Sequence, residues 1–381
     1  MSSEQIKPQA ELKRVIGPIT AVAVIVGSII GGGIFKKPQV IAQNIQHFDV
    51  AMLAWVIVGV LTLFGSLALA ELIAMRPRAG GNYVFLKEGY GPIWGFLWGW
   101  VEFWILRAGS TAALATISIE SINEIFKASH GLDTWEQKWA TIAMIACLGL
   151  VNSVGVRWSG FVQNLTTWLK VGALICILFL PFFFGEASVQ NLIAPGPAPK
   201  AGLLVGFGAA LLSVNWAYRG WMNLSPLGGE LKDPQKYVPR VLFWGIGFVM
   251  LIYIAVNIAY AFVLSQNEIA QSNHVVAVTF IRKLFSVYGS GIDKFAVGII
   301  SVAIAISAMG SLNADILVGP RTYYALGRDG LFPKFLGRVH QGFNTPALAI
   351  LAQAFWAIIL VLGADIMRES PLENPFDTLT D

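Results

Sequence analysis

The first stretch with potential for chemistry begins at Gly27 and reads Gly-Ser-Ile-Ile-Gly-Gly-Gly-Ile-Phe. It ends a run, residues 15–35, that carries no charged side chain and is long enough to cross a bilayer as a helix. Glycine destabilises a helix interior by up to about 1 kcal/mol relative to alanine. A helix interrupted here would leave backbone N–H and C=O groups free to bind a polar solute. The alternative is close helix packing, because Gly27 and Gly31 have GxxxG spacing.

A second interrupted stretch begins at Trp216 and reads Trp-Ala-Tyr-Arg-Gly-Trp-Met-Asn-Leu-Ser-Pro-Leu-Gly-Gly. It mixes aromatic residues, Gly, Pro and Arg219 where an apolar span should continue. A loosely packed helix can show one such segment by chance. Two broken helices in corresponding positions of two halves indicate inverted repeats with a binding site between them.

Lys170 lies in the middle of another apolar span, within Trp-Leu-Lys-Val. An ammonium at this depth costs about 3 kcal/mol even on the lowest published scales. Snorkelling to the membrane surface is the alternative, but about ten residues separate Lys170 from either end of the span. A functional or structural partner inside the protein is therefore expected.

Three further charges fall inside predicted spans. Glu102 and Arg107 are five residues apart, which is not an i,i+4 pair, so we expect each to find partners on other helices. Asp315 lies near the end of its span, and the sequence allows pairing with either Arg321 or Arg76.

Composition places the chain in a membrane. Of 381 residues, 56% are hydrophobic and 13% are charged, whereas soluble proteins average about 25% charged residues. The net charge of +4 does not predict nucleic-acid binding, because the basic residues occupy short loops between apolar runs. Cys147 and Cys176 lie in apolar spans and are interpreted as small hydrophobic residues. No metal site, cofactor site or catalytic residue is predicted, since HExxH, CxxC and Walker patterns are absent from the sequence.

Nine spans are predicted. Lys and Arg are more frequent in alternate short loops, which places the N-terminus in the cytoplasm. The expected location is the plasma membrane or the inner membrane. The first apolar run is too long for a signal peptide and is expected to stay in the membrane. The predicted organisation is a cytoplasmic tail (1–14), then one transmembrane domain (15–381) with a first repeat (15–184), a second repeat (203–363) and an outer tail (364–381). The spans are 15–35, 50–70, 93–118, 139–156, 161–184, 203–228, 241–264, 295–317 and 346–363.

The motifs resemble the amino acid–polyamine–organocation superfamily, closest to the L-type amino acid transporters and their bacterial relatives. The resemblance covers nearly the whole chain in the expected order. It rests on the glycine stretch at Gly27, on Arg-Ala-Gly-Gly-Asn-Tyr (78–83), Ala-Tyr-Arg-Gly-Trp (217–221), Glu-Leu-Lys-Asp-Pro (230–234), Arg-Thr-Tyr-Tyr-Ala-Leu-Gly-Arg-Asp-Gly-Leu-Phe-Pro (321–333) and Asn-Thr-Pro (344–346).

The resemblance implies an all-α, leucine-transporter-like fold with two inverted five-helix repeats whose helices 1 and 6 are unwound at the centre. The function it implies is sodium-independent amino acid exchange by alternating access, without enzymatic activity. Polyamine or other organocation antiport, and a truncated remnant that does not transport, are the alternatives.

The resemblance also assigns candidate residues. Amides at Gly31, Gly32 and Gly33, with Ser28 beside them, would bind the substrate carboxylate, which suits a helix N-terminus. Carbonyl groups of Ile29, Trp216 and Ala217 would bind its ammonium. Trp216 would close over the substrate as a gate, and Tyr253 would lie near the site as a second possible gating residue. Lys170 would replace sodium by joining helix 5 to unwound helix 1.

Several positions depart from the family pattern. Arg219 stands where many relatives carry a small or acidic residue, so it would favour an acidic side chain, repel cations, or pair with Glu120 or another acid. Gly32 replaces a frequent serine. The loop after the third span lacks the cysteine that joins animal relatives to an accessory glycoprotein, so no such disulfide-linked partner is expected. The family usually has twelve helices, so we expect a C-terminally truncated chain that lacks helices 10–12.

Overall fold

A computed structural model describes residues 12–126, 131–184, 188–198, 202–272 and 275–368. The expectations for residues 1–11 and 369–381 lie outside these ranges. Throughout the described residues the secondary structure is helical. The helices are α1 (Pro18–Ile29), α2 (Gly33–Asn44), α3 (Phe48–Met75), α4 (Asn82–Tyr90), α5 (Pro92–Val101), α6 (Ala108–Phe126), α7 (Thr134–Val154), α8 (Val156–Phe184), α9 (Gln190–Ile193), α10 (Leu203–Ala217), α11 (Pro234–Val263), α12 (Gln266–Ala270), α13 (Val276–Phe285), α14 (Ser290–Val318), α15 (Pro320–Arg328) and α16 (Ala347–Arg368).

Apolar helices long enough to cross a membrane dominate this part of the chain. Five segments within the described residues meet that requirement by length and composition, and the apolar stretch of α16 is a shorter sixth. The five are Pro18–Asn44, Phe48–Met75, Val156–Phe184, Pro234–Val263 and Lys294–Arg328. Helices also occupy the remaining predicted spans, where α5, a π-helix (Glu102–Arg107) and α6 form the third and α7 forms the fourth.

Both predicted helix breaks are present. The first separates α1 from α2, where Ile30 adopts an extended conformation (φ −72°, ψ 90°). The second follows α10, where Gly220 takes a φ of +112° that strongly favours glycine, and a 3-10 helix (Trp221–Leu227) continues the chain. The two breaks touch, because a Cβ added at Gly220 would lie 2.8 Å from the carbonyl carbon of Ser28.

Helix α1 lies at the centre of the bundle and packs against α8, α11 and α14. Helix α2, which follows the first break, packs against α10, which precedes the second break. This contact requires a glycine, since a Cβ on Gly33 would lie 2.8 Å from the Cα of Ala217. The packing therefore brings the two unwound segments to one place.

A hub of backbone and ionic contacts joins the start of α1 to the chain beyond the second break. Ile16 and Leu231 form a parallel bridge, in which the Ile16 amide donates to the Glu230 carbonyl at 2.9 Å. The Glu230 carboxylate accepts from Arg321 Nε at 2.7 Å, and both side chains are almost completely buried. Helices α1 and α15 are thus both anchored to the segment that follows the 3-10 helix.

Candidate functional site

A cavity of about 190 Å³ lies where the two helix breaks meet. Its walls come from both breaks, the π-helix and neighbouring parts of α4, α5, α6 and α14, so segments distant in sequence form one site. The predicted residues among its lining are Ser28, Ile29, Gly31, Gly32, Gly33, Trp216, Ala217 and Arg219.

The first break supplies hydrogen-bond donors to this cavity. Helix α2 begins at Gly33, and the first amides of a helix have no partner within the helix. The Ser28 hydroxyl is buried beside them and has no hydrogen-bond partner among the described residues. Amides at a helix N-terminus and a free hydroxyl are groups that bind a carboxylate.

Tyr253 connects the two breaks. Its hydroxyl, on α11, lies 2.9 Å from the carbonyl oxygen of Ile29 and 3.1 Å from that of Ala217. A phenol carries a single proton, so it can donate fully to only one of these carbonyls. The other carbonyl keeps its accepting capacity, which an ammonium group can use.

Trp216 lies beside the start of α2, where a Cβ added at Gly33 would come within 3.3 Å of its ring. Its half-buried ring is 4.9 Å from the ammonium nitrogen of Lys37 on α2, a distance suited to a cation–π contact. Its carbonyl accepts the Arg219 amide at 3.1 Å, within the turn that ends α10. Of the carbonyls predicted at this break, that of Trp216 is therefore already engaged by the backbone.

Lys170 lies next to the cavity and is completely buried on α8. Its ammonium donates to the carbonyls of Gly27 at 2.8 Å, Ile30 at 2.6 Å and Ser307 at 2.9 Å. These bonds use all three ammonium protons, and they join α8, the first break and α14. Carbonyl oxygens surround the charge here in the way that they surround a metal cation.

Two serines of α14 share these carbonyls and were not predicted from the sequence. The Ser311 hydroxyl lies 3.0 Å from the Gly27 carbonyl, and the Ser307 hydroxyl lies 3.2 Å from that of Gly31. Their i,i+4 spacing within an apolar span places both on one face of α14, which is the signal that could have indicated them.

The π-helix explains how Glu102 and Arg107 are arranged. A π-helix brings residues five apart onto the same face, and Arg107 Nε donates to Glu102 Oε1 at 2.9 Å. Their pairing with each other was not expected, because a regular α-helix was assumed, whereas the expected partner on another helix is present for Arg107, which also pairs with Asp315 of α14. The second carboxylate oxygen of Glu102 accepts from Trp98 Nε1 at 3.0 Å.

Asp315 completes this cluster from α14. It accepts from Arg107 at 2.9 Å and from the Ser110 hydroxyl at 2.6 Å. The expected pairing with Arg321 or Arg76 was wrong, since the end of α14 turns Asp315 towards the π-helix. Arg107 therefore pairs with two carboxylates, each of whose oxygens accepts a hydrogen bond, and the three side chains together keep one negative charge.

Arg219 lines the same cavity but has no ion-pair partner among the described residues. Its side chain is exposed, and its guanidinium donates to the Leu106 carbonyl at 3.4 Å. Among the described residues no carboxylate lies within ion-pair distance of this guanidinium. The cavity wall therefore contains two buried acids that share Arg107 as their ion-pair partner, and a second arginine, Arg219, that makes one long hydrogen bond.

Comparison with known proteins identifies the family. The family described as "Amino acid permease" matches residues 16–370. The chain belongs to the amino acid permease family. It is 34% identical over 353 residues to a serine/threonine exchanger of Bacillus subtilis, SteT, and the match covers 92% of this chain and 77% of that protein. It is 31% identical to the large neutral amino acids transporter small subunit 2 of Rattus norvegicus, over 93% of this chain and 66% of that protein.

The fold has a solved counterpart. The nucleobase–cation symporter Mhp1, in a closed conformation with bromovinylhydantoin bound, aligns with a TM-score of 0.60 and 13% sequence identity. The alignment covers 98% of this chain and 76% of that one. The chain therefore shares the fold of that structure, and the family match together with the apolar helices identifies it as a multi-pass membrane protein.

Proposed function

We propose that this permease exchanges amino acids across the membrane by alternating access, without sodium. The observation that carries the proposal is the cavity at which both helix breaks meet, with unpaired donors on one side and a spare carbonyl on the other. These groups match the carboxylate and the ammonium that every amino acid presents. The names of the relatives, which exchange or transport amino acids, support the same substrate class.

Independence from sodium rests on Lys170. Its ammonium occupies a shell of backbone carbonyls at the first break, the kind of environment that would otherwise hold a metal cation. A covalently attached charge stabilises the unwound segment at all times, so no dissolved cation is needed to assemble it. Tyr253, which touches both breaks, then serves as a positioning residue for the ammonium of the substrate.

The wider architecture forms part of the proposal. The two breaks, at corresponding places of residues 15–184 and 203–363, support two inverted repeats. The cavity extends towards α4 and the 3-10 helix, whereas α2 and α10 pack together on its other side. With the N-terminus in the cytoplasm, this arrangement faces inwards, and Trp216 belongs to the closed outer side. The chain is proposed to act without a disulfide-linked accessory subunit.

Counterflow into proteoliposomes tests the proposal. Liposomes holding the purified chain are loaded with an unlabelled amino acid mixture or left empty, and uptake of labelled amino acids is measured in sodium and in choline. We expect uptake that needs internal amino acid and is equal in both salts. Uptake that requires sodium, or uptake of cadaverine or agmatine in place of amino acids, would overturn the proposal.

A matched pair of glycine variants links that activity to the cavity. Gly33→Ala places a Cβ 2.8 Å from the Ala217 Cα and 3.0 Å from its Cβ, so the two breaks must separate and exchange should fall at least tenfold. Gly172→Ala is the control, because nothing lies within 4 Å of a Cβ at that position in α8. Equal activity of the two variants would show that exchange does not use this cavity.

A further inference from the structure

Arg219 gives the cavity a specificity for the substrate's side chain. We infer that Arg219 binds a carboxylate on that side chain, so that the amino acids this permease prefers are acidic. The inference rests on the proposed function and adds the substrate class.

The argument begins with the balance of hydrogen-bonding groups in the cavity wall. Each oxygen of Glu102 and of Asp315 accepts a hydrogen bond from Arg107, Trp98 or Ser110. Both acidic residues are also buried. The two acids are therefore already charge-paired with Arg107, although each oxygen keeps a second lone pair.

The N–H donors of Arg219, in contrast, are mostly without a hydrogen-bond acceptor in the described part of the chain. A guanidinium carries five N–H groups in a planar fork, and Arg219 uses one of them in a long contact of 3.4 Å with Leu106. The fork is exposed at the cavity and held by the turn between α10 and the 3-10 helix. Its geometry matches a carboxylate, which accepts two parallel bonds.

The position of the Arg219 charge, rather than the net charge of the cluster, favours the same class of substrate. Arg107 with Glu102 and Asp315 carries a net charge of −1, and Arg219 returns the cluster to zero. A second cation in the substrate would lie beside the exposed guanidinium and be repelled. An acidic side chain would pair with it directly, while an apolar side chain would leave the guanidinium to lose water without gaining a partner.

The location agrees with a role towards the side chain of the substrate. The amides of the first break and the spare carbonyl beside Tyr253 account for the carboxylate and ammonium common to all amino acids. Arg219 lies in the second break, lines the cavity and reaches towards the π-helix. It is thus placed to distinguish one amino acid from another.

Equilibrium binding and counterflow with matched ligands test the inference. Glutamate is compared with glutamine, and aspartate with asparagine, because each pair differs in charge and hardly in shape; leucine and lysine complete the set. We expect the wild-type protein to bind each acid at least tenfold more tightly than its amide. Arg219→Gln should abolish that preference, and Arg219→Glu should reverse it in favour of lysine. Arg240→Gln, an exposed arginine on α11, is the control and should preserve it.

The outcomes separate the two proposals. Binding and exchange of glutamine or leucine with equal or better affinity than glutamate would overturn the inference while amino acid exchange stands. A preference for acids that survives in Arg219→Gln would also overturn it, since another group would then read the side chain. If no amino acid binds or exchanges under any condition, the proposed function fails and the inference fails with it.

Discussion

Replacing Lys170 tests the reasoning about the first helix break most directly. Three break carbonyls, those of Gly27, Ile30 and Gly31, lie near the Lys170 ammonium or the hydroxyls of Ser307 and Ser311. In Lys170→Met the ammonium is lost and most of the side-chain volume is kept. The two hydroxyls then have one proton each for three carbonyls, so at least one stays unpaired.

The expected size of the effect follows from that count. Leaving one buried polar group without its partner costs about 1–3 kcal/mol. If this cost destabilises the conformation that contains the cavity, the equilibrium population of that conformation falls by the corresponding factor. Since about 1.4 kcal/mol corresponds to a factor of ten, exchange should fall roughly 5–150-fold. Lys170→Ala should be more severe, because it also leaves a void in the bundle.

The assay is counterflow in proteoliposomes, measured in sodium and in choline, with thermal unfolding of the purified variants in parallel. Lys36→Ala is the matched control, since Lys36 lies on α2 near the site with an exposed side chain. We expect Lys36→Ala to behave like the wild type. Wild-type exchange by Lys170→Met, with no sodium dependence and no loss of thermal stability, would refute the assigned role of the lysine.

Three other changes have defined outcomes. Tyr253→Phe removes the hydroxyl between the two breaks, and substrate affinity in a binding assay should fall about tenfold with protein yield unchanged; an unchanged affinity would contradict the positioning role. Glu230→Gln leaves buried Arg321 without its counter-charge, and the melting temperature should drop markedly, because breaking a buried pair costs about 3–5 kcal/mol. Burial alone would raise the pKa of Glu268, but hydrogen bonds and charge from Lys283 outweigh it and lower the pKa below its usual value. This pair therefore contributes stability above about pH 4.3 that is lost as the pH falls through the lowered pKa. Glu268→Gln should lower the melting temperature more at pH 7 than at pH 3, and an equal effect at the two pH values would contradict the assignment.

The sequence was sufficient to predict both helix breaks. The glycines at 31–33 allowed close packing as well as a break, and the second interruption, with Gly220 and Pro226 inside an apolar span, favoured the break. The cost of a mid-span ammonium likewise drew attention to Lys170, and the structure places it against backbone carbonyls of the first break. The role of Lys170 in replacing sodium during amino acid exchange remains a prediction.

The ionic cluster at the cavity could not be predicted in the same way. Pairing of Glu102 with Arg107 depends on a π-helix, and a pattern based on 3.6 residues per turn separates the two side chains. The partner of Asp315 depends on how α14 is rotated against α6, which local sequence does not determine. Tertiary packing set these contacts, and they were therefore visible only in three dimensions.

The bridge between Ile16 and Leu231 has a mechanical consequence. It is made of two backbone hydrogen bonds, from Ile16 to Glu230 at 2.9 Å and from Lys232 to Ile16 at 3.0 Å. Such bonds transmit tension along the chain whatever the side chains are. The residue preceding α1 and the segment that follows the second break are thus joined through their backbones. A displacement of either segment must move the other segment or break both hydrogen bonds. The bridge therefore couples the movements of the two unwound segments.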